Sequence, residues 1–190
     1  MFHVVRRDAL EYLTADALAG SVHCFSTRFG GVSEGMLASL NLGTHRGDSP
    51  ENVRENYEIL GKAVGFLPEQ TVFTKQHHTA IVAPATRADC GTGLLRERED
   101  VCDALVTDEP GAALVCFAAD CTPVLLYDPV ARAVGAAHSG WRGTAQGIAA
   151  RTVEQMQRLY GCKPENIRAA IGPSIGQCCF ETDGDVPEAM

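Results

Sequence analysis

The chain of 190 residues has the length of one domain, or of two very small ones. Hydrophobic residues make up 45% of it, which suffices for a packed core and argues against disorder. Its 24 acidic and 16 basic residues give a net charge of -8, so a surface that binds nucleic-acid polymers is not expected.

The first half of the chain predicts a short strand, two loops and a helix. Residues 21–27 have the polar and apolar mixture of a short strand. The three glycines of residues 28–35 predict a loop whose backbone can come close to a ligand. A second loop covers residues 39–44. A helix is predicted to begin near Ser49, its N-cap, with Pro50 in the first turn. The buried stripe of this helix is predicted to contain Val53, Tyr57, Leu60 and Val64.

The second half predicts short strands and one further helix. The strands are expected at residues 71–75, 79–83, 102–107, 112–118, 123–127, 132–137 and 167–171. The helix is expected over residues 144–160, ended by Gly161. Because hairpin-length links join most strands and only two long helices occur, the pattern predicts an α+β layered sheet protein.

The cysteines favour a reducing environment. Residues 1–8 lack the apolar segment of a signal peptide, and no apolar run approaches the ~18 residues of a membrane-spanning helix. Several of the eight cysteines lie in apolar, strand-like runs, and no Cys-x-x-Cys pair occurs. We therefore expect a cytoplasmic protein with mostly reduced thiols and no membrane contact.

Cys121 and His138 lie on either side of a predicted hairpin with its turn at residues 129–130. If Asp128 faces Ala131, then Cys121 lies directly opposite His138 on one face of the sheet. Opposed Cβ atoms are ~4.5–5.5 Å apart, so the thiolate and the imidazole could share one metal ion. A register change of one residue would put them on opposite faces.

A third ligand is expected from His77 or His78, in a short link between two strands. Adjacent side chains of an extended chain point to opposite faces, so one of the two faces inward. Two histidines, one cysteine and a water would form an open tetrahedral zinc site. A thiolate ligand excludes hard ions and favours zinc, with copper second.

Two arginines are candidates for anion binding. Arg28 follows Ser26-Thr27 and precedes a Gly-Gly turn whose amides can face the same ligand. Arg142 follows the only tryptophan, Trp141, in a segment flanked by glycines. The chain is acidic on balance, but these two arginines could still bind one phosphate.

Six segments occur in a defined order from about Ser21 onward. They are STRFGGVS (26–33), SLNLG (39–43), NVREN (52–56), ADCTPV (119–124), AHSGWRG (137–143) and IGPSIGQCCFE (171–181). Together they resemble the YfiH/laccase-domain family, also called peptidoglycan editing factor or multicopper polyphenol oxidase. The resemblance implies a mixed β-sandwich with helices outside, in α/β/β/α layers.

The resemblance also implies a zinc-dependent purine nucleoside phosphorylase with adenosine deaminase activity. The implied substrates are adenosine, inosine, guanosine and methylthioadenosine, with phosphate as co-substrate. The zinc ligands and catalytic residues of the family fall on His78, Cys121 and His138. The substrate-binding candidates are Arg28 for phosphate, Asn41 for ribose or base, and Gln76 and Arg142 near the pocket. A homo-oligomer is left open.

Two departures from the family pattern are visible. Thr79 stands where the family usually has glycine, and His77 precedes His78, so both histidines remain ligand candidates. Family chains continue beyond Cys178-Cys179 with further strands, whereas this one stops at Met190. We therefore expect a single domain, residues 1–190, that lacks the C-terminal portion of the family.

Three other functions fit parts of the pattern. A Cys121–His138 nucleophilic dyad would hydrolyse amide or peptidoglycan substrates. A copper-dependent polyphenol oxidase would need clustered histidines that the chain lacks. A non-enzymatic zinc-binding interaction module would need a fourth protein ligand that closes the metal site.

Overall fold

The computed structural model describes the backbone of residues 1–190 and every side chain except that of Asp185. The helices in this part of the chain are Pro50–Val64 (α1), Trp141–Ala145 (α2), Ile148–Tyr160 (α3) and Asp185–Ala189 (α4). The strands are Phe2–Arg7 (β1), Leu10–Ala15 (β2), Phe25–Ser26 (β3), Thr71–Phe73 (β4), Val82–Pro84 (β5), Ala104–Thr107 (β6), Ala113–Val115 (β7), Thr122–Asp128 (β8), Ala133–Ser139 (β9) and Arg168–Ile171 (β10).

These strands form three sheets. The largest has the order β10-β8-β9-β6-β5, a second contains β1-β2-β3, and β4 pairs with β7. The predicted α+β class is confirmed, while the four-layer order remains a prediction. No strand is predicted before residue 21, yet β1 and β2 form an antiparallel hairpin there. None of the described helices is long and apolar enough to span a bilayer.

Helix α1 follows its local sequence signals closely. The Ser49 hydroxyl accepts a hydrogen bond from the Asn52 amide at 3.1 Å, as an N-cap does. Gly65 ends the helix in the left-handed conformation. The buried side of α1 packs against apolar side chains of β2 and β4, including Phe73. The prediction of a helix that begins beside Ser49 is therefore confirmed.

The predicted helix over residues 144–160 is wrong in its first turn. Gly147 has a φ of +74°, a left-handed conformation that interrupts the helix and that glycine adopts without strain. The segment is therefore divided into α2 and α3, and α3 packs against the largest sheet through Ile148 and Met156.

The hairpin of β8 and β9 has a different register from the predicted one. Asp128 pairs with Ala133 rather than Ala131, and His138 pairs with Pro123 rather than Cys121. The cause is a four-residue turn, in which the Asp128 carboxylate accepts the amides of residues 130 and 131. Because the shift is two residues, Cys121 still projects to the predicted face.

Two parallel pairings bring distant segments together. β4 pairs with β7 and β5 pairs with β6, both in parallel. Consequently β6 and β7 lie in different sheets, although only residues 108–112, which include the predicted turn at 108–111, separate them. The link between β4 and β5 therefore runs beside the start of β6, where the Asp103 amide donates to the carbonyl of Ile81 at 3.0 Å.

The Asp48 carboxylate connects the glycine-rich segment to α1. It accepts hydrogen bonds from the side chains of Ser33, Asn41 and Asn52, and these lower the pKa of Asp48 to about 2. A carboxyl with a depressed pKa stabilises the fold above its unfolded pKa of about 3.9, and this stabilisation is lost as the pH falls toward the folded value.

We expect Asp48→Asn to unfold at a lower temperature than the parent protein. The difference in Tm should be largest above about pH 4 and should shrink as the pH falls to about 2, because the parent then loses the same charge. Thermal unfolding monitored by circular dichroism across this range measures it. A difference that stays constant with pH would contradict the assigned role of the Asp48 charge.

Candidate metal centre

Three side chains with metal-ligating atoms meet at one end of the largest sheet. Donor atoms of His78, Cys121 and His138 all lie within 4.8 Å of one another. The Cys121 Sγ is 3.9 Å from the His78 Nε2, and the two imidazole rings are 4.9 Å apart in an edge-to-face arrangement. The structure thus brings together three side chains that the sequence analysis names as candidate metal ligands.

The three candidate ligands come from different segments of the chain. His138 lies on β9, one residue before its end, and is only 3% exposed. Cys121 immediately precedes β8, at the position that continues the β8–β9 ladder opposite Gly140. His78 lies in the link between β4 and β5, where its φ is +58°. Side chains from three segments therefore converge where the β8–β9 ladder opens into loops.

The path of this link places His78 beside the other two candidate ligands. His78 joins Cys121 and His138 within ligand distance, whereas the described group does not include the exposed His77. The left-handed conformation of His78 departs from the extended chain on which the sequence argument relied. This backbone conformation turns the ring of His78 toward the other two ligands.

Asp103 is a buried carboxylate beside the metal centre that the sequence reasoning missed. It is 0% exposed and immediately precedes β6. Its carboxylate accepts hydrogen bonds from the His138 Nδ1 at 2.9 Å and from the Thr79 hydroxyl at 2.7 Å. It also accepts hydrogen bonds from the backbone amides of His77, His78 and Thr79, at 3.2, 3.0 and 2.8 Å. An acidic residue directly before an apolar strand was the one available sequence signal.

Gly140 is the second residue missed. A Cβ at this position would lie 2.9 Å from the His78 Cδ2, 3.1 Å from the Cys121 Sγ and 3.5 Å from the His138 Cε1. The backbone of Gly140 therefore packs directly against all three ligand side chains, where any other residue would crowd them. Its position right after His138 and Ser139 was the available sequence signal.

The donor set fits a zinc ion. Zinc bonds of about 2.3 Å to sulfur and 2.1 Å to nitrogen in a tetrahedral site place these atoms about 3.6 Å apart. The observed 3.9 Å between Cys121 Sγ and His78 Nε2 is close to that value. His78 is exposed, Cys121 is half-buried and His138 is buried, so the site is open to solvent on one side. Three protein ligands with an open side are typical of catalytic zinc sites.

Cys121 is not set up as a free nucleophile. Burial raises the pKa of its thiol, and the carboxylates of Asp120 and Asp103 raise it further. Nucleophilic cysteines have lowered pKa values because the thiolate is the reactive form. The electrostatics around Cys121 therefore disfavour ionisation by the protein alone and suit a thiolate that a cation stabilises.

The four predicted substrate-binding side chains have other contacts. The Arg28 Nε and Nη2 donate to the Ala38 carbonyl at 3.0 and 2.6 Å. The Asn41 amide contacts Asp48 and the backbone of Gly43. The Gln76 amide bridges to both backbone groups of Phe117, and the exposed Arg142 guanidinium stacks on Trp141 at 4.0 Å. Arg142 follows Gly140 and Trp141 in the chain, so it is the predicted cation that lies nearest in sequence to the candidate metal centre.

The structure contains a cavity of about 780 Å³. Asn41 and Pro123 line it, together with Cys24 and Cys116. Burial raises the pKa of both thiols to about 12, so they are not ionised at neutral pH. Among the described residues, the cavity lining includes none of the three candidate ligands.

Comparison with known proteins assigns a family to most of the chain. Residues 22–190 match the model of the multi-copper polyphenol oxidoreductase laccase family. The purine nucleoside phosphorylase YlmD of Geobacillus stearothermophilus is 40% identical over 178 residues, which are 93% of this chain and 65% of the relative. A purine nucleoside phosphorylase of Deinococcus radiodurans is 44% identical over 86% of this chain and 60% of its own length.

A solved structure has the same fold. The crystal structure of YlmD from Geobacillus stearothermophilus superposes with a TM-score of 0.89 at 39% identity, over 98% of this chain and 70% of that one. The chain thus spans somewhat less than two thirds of the first two relatives' length. The additional residues of these two relatives lie outside the region that matches this chain.

Proposed function

The chain belongs to the YfiH/laccase-domain family, and from this membership we propose that it is a zinc-dependent purine nucleoside phosphorylase. The observation that carries the proposal is the open group of His78, Cys121 and His138 within a region similar to proteins named purine nucleoside phosphorylase. We further propose that residues 1–190 form one domain, to which the longer relatives add a further portion. The cytoplasmic location and a homo-oligomeric state remain predictions.

The three ligands have distinct tasks in this proposal. The buried His138 and the half-buried Cys121 would hold the metal against the sheet, and the exposed His78 would complete the ligand set on the solvent side. Bound zinc supplies a Lewis acid that polarises an oxygen of phosphate or substrate. The open side of the site admits the nucleoside and the phosphate.

Cationic and amide side chains would position the substrates. We assign phosphate binding to Arg28 and Arg142, since a guanidinium has more N–H donors than the contacts seen here use. Asn41 and Gln76 are assigned to ribose or base. The side-chain amides of Asn41 and Gln76 already hydrogen-bond within the protein. To bind substrate, each would have to exchange one of these hydrogen bonds for one to the nucleoside.

Phosphorolysis and deamination would share the same centre. In phosphorolysis, phosphate attacks the ribose C1′, the glycosidic bond breaks, and the purine leaves with the bonding electrons. The proposed substrates are adenosine, inosine, guanosine and methylthioadenosine. Deamination of adenosine would replace its amino group by an oxygen from water and release ammonia.

The rival functions have weaker support. A Cys121–His138 hydrolase is disfavoured because burial and nearby carboxylates raise the pKa of the Cys121 thiol. A multicopper oxidase needs several copper sites, whereas the described residues contain one group of three potential ligands. A closed structural zinc module is disfavoured because His78 is exposed and leaves one side open.

Zinc-loaded protein should convert inosine and phosphate into hypoxanthine and ribose 1-phosphate. Without phosphate, hypoxanthine release should fall to background, because water would not replace the phosphate nucleophile. Chromatography of the products, with adenosine and an ammonia assay in parallel, measures both proposed reactions. Hypoxanthine release that does not depend on phosphate, or no release at all, would refute the phosphorylase.

A further inference from the structure

We propose that Asp103 is a positioning residue that holds both histidines of the metal centre in their ligand geometry. The inference rests on the proposed function, because it concerns the same metal centre. Asp103 is 0% exposed and lies behind the two histidines, closed to solvent.

His138 is held by both the backbone and the side chain of Asp103. Ala104 pairs with Ala137 in the β6–β9 ladder, so Asp103 and His138 are the next facing pair. The His138 amide donates to the Asp103 carbonyl at 2.7 Å. The Asp103 carboxylate can only accept, so the His138 Nδ1 at 2.9 Å from its Oδ1 must carry the proton. This arrangement leaves the lone pair of the His138 Nε2 free for a metal.

His78 is held through its backbone. Its φ of +58° lies in the left-handed region of backbone conformation, which residues other than glycine adopt at an energetic cost. The amides of His77, His78 and Thr79 all donate to the same carboxylate. Three consecutive amides fixed on one group offset that cost and keep the His78 ring directed at the other ligands.

One oxygen atom joins the two histidines. The Oδ1 of Asp103 accepts both the His78 amide at 3.0 Å and the His138 Nδ1 at 2.9 Å. An asparagine has one acceptor oxygen and one NH₂ donor in place of the two carboxylate oxygens. Asp103→Asn would therefore direct a donor at another donor, whichever way the amide is turned.

We expect Asp103→Asn to weaken zinc binding by about 10–100-fold, the usual effect of losing a hydrogen-bond partner of a metal ligand. Competition with a chromophoric zinc chelator measures the affinity. Asp128→Asn is the matched control: Asp128 is also 0% exposed and accepts two backbone amides, but lies at the opposite end of β8. The control should lose thermal stability and retain the parent zinc affinity.

Nitrogen NMR of the zinc-bound parent protein gives a second readout that does not depend on the folding of a variant. His138 should carry its proton on Nδ1, and a proton on Nε2 would overturn the proposal. The proposal would also be overturned if Asp103→Asn bound zinc like the parent, or if both aspartate variants lost the same affinity. Zinc binding without nucleoside cleavage would refute the proposed function and leave the role of Asp103 intact.

Discussion

Replacing Cys121 by alanine should abolish tight zinc binding while the protein stays folded. The change removes the thiolate and leaves two imidazoles, one of them exposed. The loss of affinity should exceed the roughly 10–100-fold that follows from losing a partner of a ligand, because a ligand itself is removed. Metal analysis after dialysis should find about one zinc per chain in the parent protein and almost none in the variant.

Cys116→Ala is the matched control for this experiment. Cys116 lies on the cavity wall outside the ligand group, and its burial raises the pKa of its thiol to about 12. The control should retain the full zinc content of the parent. Full zinc content and unchanged affinity in Cys121→Ala would show that Cys121 is not a ligand.

Gly140→Ala should damage the metal centre by adding a single methyl group. The new Cβ would lie 2.9 Å from the His78 Cδ2, a separation that real Cβ contacts essentially never have, and 3.1 Å from the Cys121 Sγ. His78 must then move, since it is the exposed ligand. A displacement of about 1 Å in a catalytic group can reduce the rate by about 10²-fold. We expect a loss of that order in the phosphate-dependent cleavage of inosine.

The glycine substitution also has a matched control. Gly184 has a φ of −63°, and a Cβ added there would meet nothing within 4 Å. Gly184→Ala should therefore retain the parent rate and zinc affinity. An active Gly140→Ala protein with parent zinc affinity would contradict the close packing described at the metal centre.

Local signals made part of this fold predictable. The start of α1 depends on Ser49 and Pro50, which act within one helical turn, and the structure has the helix where these residues predict it. The second predicted helix runs across Gly147, where the structure divides the segment into α2 and α3. The left-handed conformation of that glycine is a backbone property that hydrophobic periodicity does not report.

Part of the candidate site could be predicted because a short segment determines it. Cys121 and His138 belong to one hairpin, so the two-residue error in register left them on the same face. Asp103 could not be found in this way, because its role depends on the pairing of β6 with β9 and on the parallel pairing of β5 with β6. Such contacts between distant segments leave no periodic signal in the sequence.

The rate of phosphate-dependent inosine cleavage, measured against the zinc bound per chain, tests most directly whether the metal centre carries the activity. Protein stripped with a chelator would receive zinc in steps, and bound metal and ribose 1-phosphate formation would be measured in the same samples. We predict a rate that rises in proportion to bound zinc and levels off at about one equivalent. Full activity in zinc-free protein that thiol alkylation then abolishes would contradict the account and favour a cysteine nucleophile.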